Sequence, residues 1–197
     1  MPAMSRFECV FCRGAGWRAF AGRVVLPWAL QGERLDGEVL EIGGGSGAMA
    51  ARLLASRPSV RMTVTDYDEA MVEASRTRLA GFADRAGVRQ ADATRLPFRD
   101  GRFDAVLSFI MLHHVIDWEA ALAEAVRVLR PGGVLIGYDL VASRPARWLH
   151  QAEGAGHRLM TRAQLRDRLD DLPVETTTLR PGLAGLVVRF RARKPLG

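Results

Sequence analysis

Glycines at alternate positions follow a short apolar run and an acidic residue in residues 39–47. The run reaches Glu41, and Gly43, Gly45 and Gly47 then lead into an alanine-rich stretch. This order predicts a buried strand, a tight turn and the start of a helix. Glycine has no Cβ, so the turn can approach a ligand closely, and a helix N-terminus offers unpaired N–H groups. The loop therefore predicts a nucleotide or nucleoside site and leaves open which nucleoside it binds.

Further polar residues come at or just after the ends of other predicted strands. They are Asp66, Asp92, residues 108–114 and Asp139. In a parallel sheet the carboxyl ends of the strands meet at one edge, and ligands bind there at the point where the strand order reverses. We therefore expect these residues and Glu41 to converge on one crevice.

The elements that must position these residues alternate between strand and helix from residue 38 onward. Asp117 is the expected N-cap of one helix, and Arg130-Pro131-Gly132-Gly133 is its expected stop. A C-terminal hairpin is expected to turn at Arg180-Pro181-Gly182. The alternation indicates an α/β fold with a parallel sheet covered on both faces. Strands are expected at residues 38–42, 60–66, 88–92, 104–109, 133–140, 174–179 and 186–193, and helices at 47–56, 68–80, 117–129 and 161–170.

A nicotinamide-dependent enzyme is one interpretation of the glycine loop, because residues 43–48 and Asp66 also satisfy the dinucleotide fingerprint. A short-chain dehydrogenase would need a tyrosine followed four positions later by lysine. Neither Tyr67 nor Tyr138 has that partner, and the chain's one lysine is Lys194. A single domain of this length also leaves no room for a separate catalytic domain, so the residues argue against hydride transfer.

Five motifs in order resemble the class I S-adenosylmethionine-dependent methyltransferases, over about residues 35–140. The resemblance is closest to the small-molecule branch of type 11 methyltransferases, which includes the ubiquinone and menaquinone methyltransferases. It implies a Rossmann-like, seven-stranded, mostly parallel sheet in the order 3-2-1-4-5-7-6, with strand 7 antiparallel and helices on both faces. The motifs are residues 41–47, Asp66, residues 90–98, residues 103–108 with 112–115, and residues 129–135.

The resemblance also implies a donor site for S-adenosyl-L-methionine, with S-adenosyl-L-homocysteine as product. The glycines would admit the methionyl part, and Glu41 would meet its ammonium group or fix the loop. Asp66 would accept the two ribose hydroxyls. Asp92 would accept the adenine amino group and Ala93 would offer its N–H to the ring. The expected cofactor-binding set is Glu41, Gly43, Gly45, Gly47, Asp66, Tyr67 against the adenine face, Asp92, Ala93, Ser108 and Phe109.

A general base is needed only where the acceptor must lose a proton. The candidates by position are His114, His113, Asp139 and Tyr138. A histidine after the fourth strand is common in this family without acting as a base, so this role stays open. We expect no metal, because Cys9 and Cys12 form a CxxC pair without the second pair that a four-ligand site needs.

The segment after the fourth strand, Ser108-Phe109-Ile110-Met111, lacks the Asn/Asp-Pro-Pro-aromatic signature of many amino-methylating nucleic-acid and protein enzymes. It also lacks the cysteine used in pyrimidine C5 methylation. This favours O-, N- or C-methylation of a small organic acceptor. An apolar set hints at an aromatic or lipophilic one: Phe11, Trp17, Phe109, Met111, Trp148 and Met160. An RNA methyltransferase and a non-catalytic protein that binds S-adenosylmethionine or S-adenosylhomocysteine remain alternatives.

Composition limits the partners. The 197 residues suit one domain, and the formal charge of +6 comes from 28 basic residues, of which all but Lys194 are arginines. The densest group, Arg189, Arg191 and Arg193, alternates along a predicted strand and should point to one face. Arginines spread through a chain are more typical of composition bias than of a nucleic-acid surface, so we expect no nucleic-acid partner. The oligomeric state stays open.

The N-terminal segment, residues 1–35, predicts one or two amphipathic helices that form a lid on the methyltransferase domain at residues 36–197. Contact of this segment with a membrane surface is a weaker interpretation. The first residues lack the pattern of a signal peptide, and no apolar run is long enough to span a bilayer. A cytoplasmic protein is therefore the default expectation.

Overall fold

The computed structural model describes residues 24–30, 32–142 and 158–197. Within these residues one sheet has the order β3-β2-β1-β4-β5-β7-β6, which confirms the predicted topology. β1 to β5 are parallel, and β7 is antiparallel to both β5 and β6. The strands are β1 (Gly37–Ile42), β2 (Val60–Asp66), β3 (Ala86–Gln90), β4 (Phe103–Phe109), β5 (Leu129–Leu140), β6 (Glu175–Gly182) and β7 (Val187–Arg193).

Helices cover both faces of the sheet, as predicted. β1 alternates between two cores: Val39 packs with α1 and α2, whereas Leu40 and Ile42 pack with α4 and α5 on the other face. Because the central strands are buried on both faces, their sequences are nearly continuous apolar runs. The helices are α1 (Leu26–Leu30), α2 (Ala48–Ser56), α3 (Glu69–Leu79), α4 (Trp118–Val128) and α5 (Arg162–Asp170).

Polar residues begin three of these helices. The Asp117 side chain accepts the N–H of Ala120 at 3.1 Å, which confirms it as the N-cap of α4. Asp68 caps α3 in the same way. Thr161 and Gln164 form a reciprocal capping box at the start of α5. These caps fix where each helix starts, within two residues of the sequence prediction.

The expected stop at residues 130–133 does end α4, but it does not separate α4 from the next strand. β5 begins at Leu129, directly after the helix. Its register with β4 shifts between the pair Phe103–Leu129 and the pair Ala105–Val134. Gly132, with φ of 73°, lies in this irregular stretch. Residues 130–133 are therefore a bulged start of β5 rather than a loop.

The predicted hairpin turn at residues 180–182 was wrong. β6 continues through Pro181 and Gly182, which pair with Val188 and Val187. The turn follows at Leu183–Gly185. Proline can extend this strand because β6 lies at the edge of the sheet, where a missing N–H breaks no ladder. A Cβ on Gly182 would lie 2.6 Å from the Trp28 ring, so this glycine serves close packing and not the turn.

Arg189, Arg191 and Arg193 share one face of β7, as predicted, and they hold the segment around α1 onto the sheet. Arg191 and Arg193 donate to Glu33 at 2.9 and 2.5 Å. Arg189 donates to the carbonyl oxygen of Trp28 at 2.7 Å. This stripe is partly a structural clamp, which weakens the case for a nucleic-acid surface.

Lys194 binds the C-terminal end of α4. Its Nζ donates to the carbonyl oxygens of Val126, Arg127 and Leu129 at 3.0, 3.3 and 2.8 Å. A cation at a helix C-terminus satisfies carbonyls that have no intrahelical partner and interacts favourably with the helix dipole. The last residues of the chain therefore help to fix α4 against β5.

Several predictions fall outside the described residues. These are most of the lid at residues 1–35, with Cys9, Cys12, Phe11 and Trp17, and Trp148 in the segment after β5. The boundary between residues 35 and 36 stays a prediction. In the described part of the chain, no helix has both the length and the apolar character to cross a membrane.

The corrected turn predicts a stabilising substitution. Ala184 has φ of 52°, a left-handed conformation that costs a residue with a Cβ about 1 kcal/mol. Ala184→Gly should therefore raise the free energy of unfolding by about that amount in urea titrations. The same change at Ala74, inside α3, should lower it by about 1 kcal/mol. A loss of stability in Ala184→Gly would contradict the turn described here.

Candidate functional site

The glycine loop leaves β1 and turns under the end of β2. Gly45 adopts φ of 54°, and a Cβ there would meet no atom within 4 Å. Its N–H donates to Asp66 Oδ2 at 2.8 Å. The loop therefore presents bare backbone to open space at Gly45, which suits close approach of a ligand.

The other glycines of the loop are required by packing within the protein. A Cβ on Gly43 would lie 2.7 Å from the Met111 side chain, and one on Gly44 would lie 2.4 Å from Val64. A Cβ on Gly47 would lie 2.5 Å from Ser75 Oγ. The predicted ligand role is thus best supported at Gly45, whereas Gly43 and Gly47 set the position of the loop.

Glu41 lies beneath this loop and is 2% exposed. Its Oε2 is buried and has no hydrogen-bond partner among the described residues. Burial, followed by the nearby Asp66 carboxylate, raises the pKa of Glu41 to about 8, although a hydrogen bond from the backbone of Ala50 lowers it. Desolvation penalises the charged form of a carboxyl group, and a second carboxylate adds to that penalty. Neither Glu41 nor Asp66 forms an ion pair with a basic side chain in the described ranges.

Asp66 connects the ends of β1 and β2. Its Oδ1 accepts the N–H of Asp68 at 3.0 Å, and its Oδ2 accepts that of Gly45. Burial raises the pKa of Asp66, although these backbone hydrogen bonds lower it. Each carboxylate oxygen can accept a further hydrogen bond, so the group can receive two neighbouring hydroxyls while its backbone contacts hold it in place.

Residues expected to meet an adenine ring lie beyond β2 and β3. The Tyr67 side chain follows β2 and is 44% exposed. The Asp92 side chain accepts both the N–H and the hydroxyl of Thr94 through Oδ1, each at 2.8 Å. Ala93 between them is buried. Because β2 and β3 are neighbouring parallel strands, an exposed ring after one and a fixed carboxylate after the other lie at the same edge of the sheet, where they can bind a flat heterocycle that carries an amino group.

The end of β4 carries a buried hydroxyl group, an aromatic ring and a strained backbone. Ser108 is fully buried, and its hydroxyl has no hydrogen-bond partner in the described ranges. Phe109 is 9% exposed, and its ring centroid lies 5.4 Å from that of Tyr138. Ile110 then adopts φ of 52°, a strained conformation for a β-branched residue. This backbone reversal redirects the chain that follows, and the sequence carries no signal for it.

Asp139 organises the segment after that reversal. Its Oδ2 accepts the N–H groups of Met111 and Leu112 at 2.9 and 2.7 Å. Its Oδ1 lies 2.6 Å from Nδ1 of His113 and accepts the N–H of Leu140 at 2.8 Å. Asp139 is 0% exposed and His113 is 2% exposed. This carboxylate therefore joins the chain after β4 to the end of β5.

His114 is the more accessible of the two histidines. It is partly exposed, and its ring centroid lies 4.0 Å from that of His113. Of the four candidates for a base, His113 and Asp139 are buried and bonded to each other, and Tyr138 is 7% exposed. The geometry therefore favours His114 as the group that can reach a ligand.

An aromatic cluster at the end of β5 was not predicted as a unit. The Tyr138 ring lies edge-on to Trp28, with centroids 5.3 Å apart, and Phe109 contacts its other side. Trp28 comes from α1, more than a hundred residues away in sequence. Only the folded sheet brings these rings together, so no local pattern could have indicated the cluster.

The raised pKa of Glu41 predicts that the protein without ligand loses stability as the pH rises. The group binds a proton more tightly in the folded state (pKa about 8) than when unfolded (4.5), so its contribution is complete below 4.5 and is lost through 8. One group changes the free energy of unfolding by at most about 1.4 kcal/mol per pH unit. Urea titrations of Glu41→Gln should show a flatter dependence between pH 5 and 8. Glu38→Gln, on the same strand, should keep the wild-type slope, and parallel curves for wild type and Glu41→Gln would contradict the assignment.

Comparison with known proteins agrees with this geometry. Residues 40–137 match a family model described as a methyltransferase domain. The demethylmenaquinone methyltransferase of Clavibacter sepedonicus is 41% identical over 120 residues, which cover 61% of this chain and 45% of that protein. The ubiquinone/menaquinone biosynthesis C-methyltransferase UbiE of Pseudomonas putida is 38% identical over 112 residues, or 54% of this chain and 43% of that protein. The match thus spans less than half the length of these relatives.

The fold recurs in solved structures. A crystal structure described as a SAM-dependent methyltransferase of Thermotoga maritima superposes with a TM-score of 0.73 at 24% identity, covering 96% of this chain and 97% of that one. The unbonded Oε2 of Glu41 and the open backbone at Gly45 fit a cationic cofactor with a methionyl end. By its motifs, its sheet order and its matched domain, the chain belongs to the class I S-adenosylmethionine-dependent methyltransferases.

Proposed function

We propose that this chain transfers a methyl group from S-adenosylmethionine to a small organic acceptor. The observation that carries the proposal is the buried Glu41 carboxyl group beside Asp66, whose Oε2 has no hydrogen-bond partner among the described residues, under a glycine loop that is open at Gly45. A buried carboxyl group beside a part-buried one, with no basic side chain paired to either among the described residues, is completed by a ligand that brings a cation. The cofactor of this family carries an ammonium group and a sulfonium group.

Each residue of the donor site has a proposed role. Gly45 provides space for the methionyl part, and Glu41 pairs with its ammonium group. Asp66 accepts the ribose hydroxyls while its backbone bonds hold it still. Asp92 accepts the adenine amino group, and Tyr67 lies against the ring. These roles agree with the exposed Tyr67 side chain and with the Thr94 bonds that orient Asp92.

Catalysis then depends mainly on alignment. Bound S-adenosylmethionine supplies a methyl group that its sulfonium already activates, so the protein must hold the acceptor atom in line with that carbon. Asp139 fixes the chain after β4 through its bonds to Met111 and Leu112, and we propose a positioning role for it and for His113. His114, beside them and partly exposed, is the proposed base for an acceptor that must lose a proton.

The acceptor we propose is aromatic or lipophilic. The support is the cluster of Trp28, Phe109 and Tyr138 at the end of β5, together with relatives named for demethylmenaquinone and for ubiquinone and menaquinone biosynthesis. An RNA acceptor has less support, because Arg191 and Arg193 already pair with Glu33. The segment after β5 that would complete the acceptor site lies outside the described residues.

Replacement of Asp66 tests the donor site. Asp66→Ala should weaken S-adenosylmethionine binding by at least about tenfold, equivalent to roughly 1.4 kcal/mol, because two charge-assisted hydrogen bonds are lost. Isothermal titration calorimetry measures this affinity directly. The exposed Asp84 provides a matched change, and Asp84→Ala should bind like the wild type. No binding by the wild type at millimolar cofactor would refute the proposed function itself.

Replacement of His114 tests the base. With a demethylmenaquinone analogue as acceptor, His114→Ala should lower the methyl-transfer rate by about a hundredfold and flatten the rise of rate with pH. The affinity for S-adenosylmethionine, measured in parallel, should not change. A variant that keeps both the wild-type rate and the wild-type pH profile would exclude His114 as the base.

A further inference from the structure

A recessed groove lies on the α1 face of the sheet, along the edge formed by β6 and β7. Its volume is about 330 Å³, and its lining includes Trp28, Thr178, Arg180, Arg189 and Arg191. Arg189 is directly opposite Tyr138 in the pairing of β5 with β7, and Arg180 is directly opposite Arg189 in the pairing of β6 with β7. The groove thus starts next to the aromatic cluster and runs away from it, outside the donor site.

The charges in this groove are not balanced. Glu33, which follows α1, pairs with Arg191 of the lining and with Arg193. The Arg180 side chain makes no hydrogen bond or ion pair with any described residue, and the strand pairing places Arg180 directly opposite Arg189. Burial, and then the charge of Arg180, lowers the pKa of Arg189. Two neighbouring guanidinium groups without a carboxylate are unfavourable unless an anion joins them.

The protein orients the guanidinium group of Arg189 so that it can bind such an anion. Its Nη1 donates to the Trp28 carbonyl at 2.7 Å, and its guanidinium carbon lies 4.5 Å from the centroid of the Trp28 ring. Its Nε is buried and lacks an acceptor within the described ranges. A buried N–H without a partner is unfavourable, and an incoming oxygen atom that accepts its hydrogen bond would offset that cost. The group is therefore oriented by the protein and still has bonding capacity left.

We propose that this groove is a binding site for the oxyanion of a small molecule, with Arg180 and Arg189 as its two main ligands. Guanidinium groups bind phosphate and carboxylate in a fixed, often bidentate geometry. The recessed position of Arg189 under Trp28 favours a compact group over a polymer. The volume admits a phosphate or pyrophosphate, or a dicarboxylate, with part of the molecule that carries it. The proposal does not depend on methyl transfer.

Titration with inorganic pyrophosphate tests the site. At fixed ionic strength the wild-type protein should bind pyrophosphate more tightly than it binds inorganic phosphate. Arg180→Gln should weaken pyrophosphate binding by at least about tenfold, because one of two charged ligands is lost. The Arg180 side chain is exposed and has no hydrogen-bond or ion-pair partner in the part of the chain that the structure describes, so this variant should fold normally. Arg166→Gln, an exposed arginine on α5 at the opposite face, should bind as the wild type does.

A second measurement separates this proposal from the proposed function. Arg180→Gln should retain wild-type affinity for S-adenosylmethionine. If the protein fails to bind pyrophosphate, the titration with S-adenosylmethionine still tests the proposed function, and the converse also holds. Arg189→Gln, with folding checked by its thermal transition, should also lose pyrophosphate binding. Equal binding by wild type and Arg180→Gln would overturn the proposal, as would binding of RNA without binding of pyrophosphate.

Discussion

The position of β1 between β2 and β4 is the constraint on which the donor site depends. Parallel ladders on both sides fix its register, with Glu41 opposite Val64 and Leu107. The end of the strand cannot shift without breaking both ladders, so the Glu41 carboxylate stays buried where the chain turns. The N–H of Gly44 bonds to the Thr65 carbonyl at 2.9 Å and extends this pairing into the loop. A carboxyl oxygen without a hydrogen-bond partner in the described structure persists there because the sheet leaves it no alternative position.

The features that follow from short-range signals were predictable. Alternating glycines, acidic residues at strand ends and helix caps such as Asp117 act over a few residues, and they indicated the strands, the helix starts and the donor side of the site. The prediction failed for the hairpin turn. Arg180-Pro181-Gly182 carries a turn pattern, but the packing of Trp28 on Gly182 and the position of β6 at the sheet edge keep that segment extended.

The acceptor side depends on contacts between distant parts of the chain. Asp139 on β5 holds backbone groups that follow β4, and Trp28 reaches Tyr138 from α1. The sequence places Asp139 and Tyr138 at a strand end, but it does not distinguish a carboxylate that organises backbone from one that meets a ligand. The sequence also does not indicate that Ser108 is completely buried, because this burial follows from the helix packed over β4. The residues of the proposed donor site carry short-range signals, whereas the proposed acceptor side is assembled by the fold.

The bonding of Lys194 affects how the charge of this protein can be modified. The chain has a single lysine, and its ammonium group lies among three helix carbonyls. The other 27 basic side chains are arginines, whose guanidinium groups stay protonated and do not react with acylating reagents under mild conditions. Acetylation can therefore remove almost none of the positive charge on the side chains. Amine-directed cross-linkers and labels would likewise find one side-chain target, Lys194. Their attachment would compete with the hydrogen bonds from its ammonium group to the carbonyls at the end of α4.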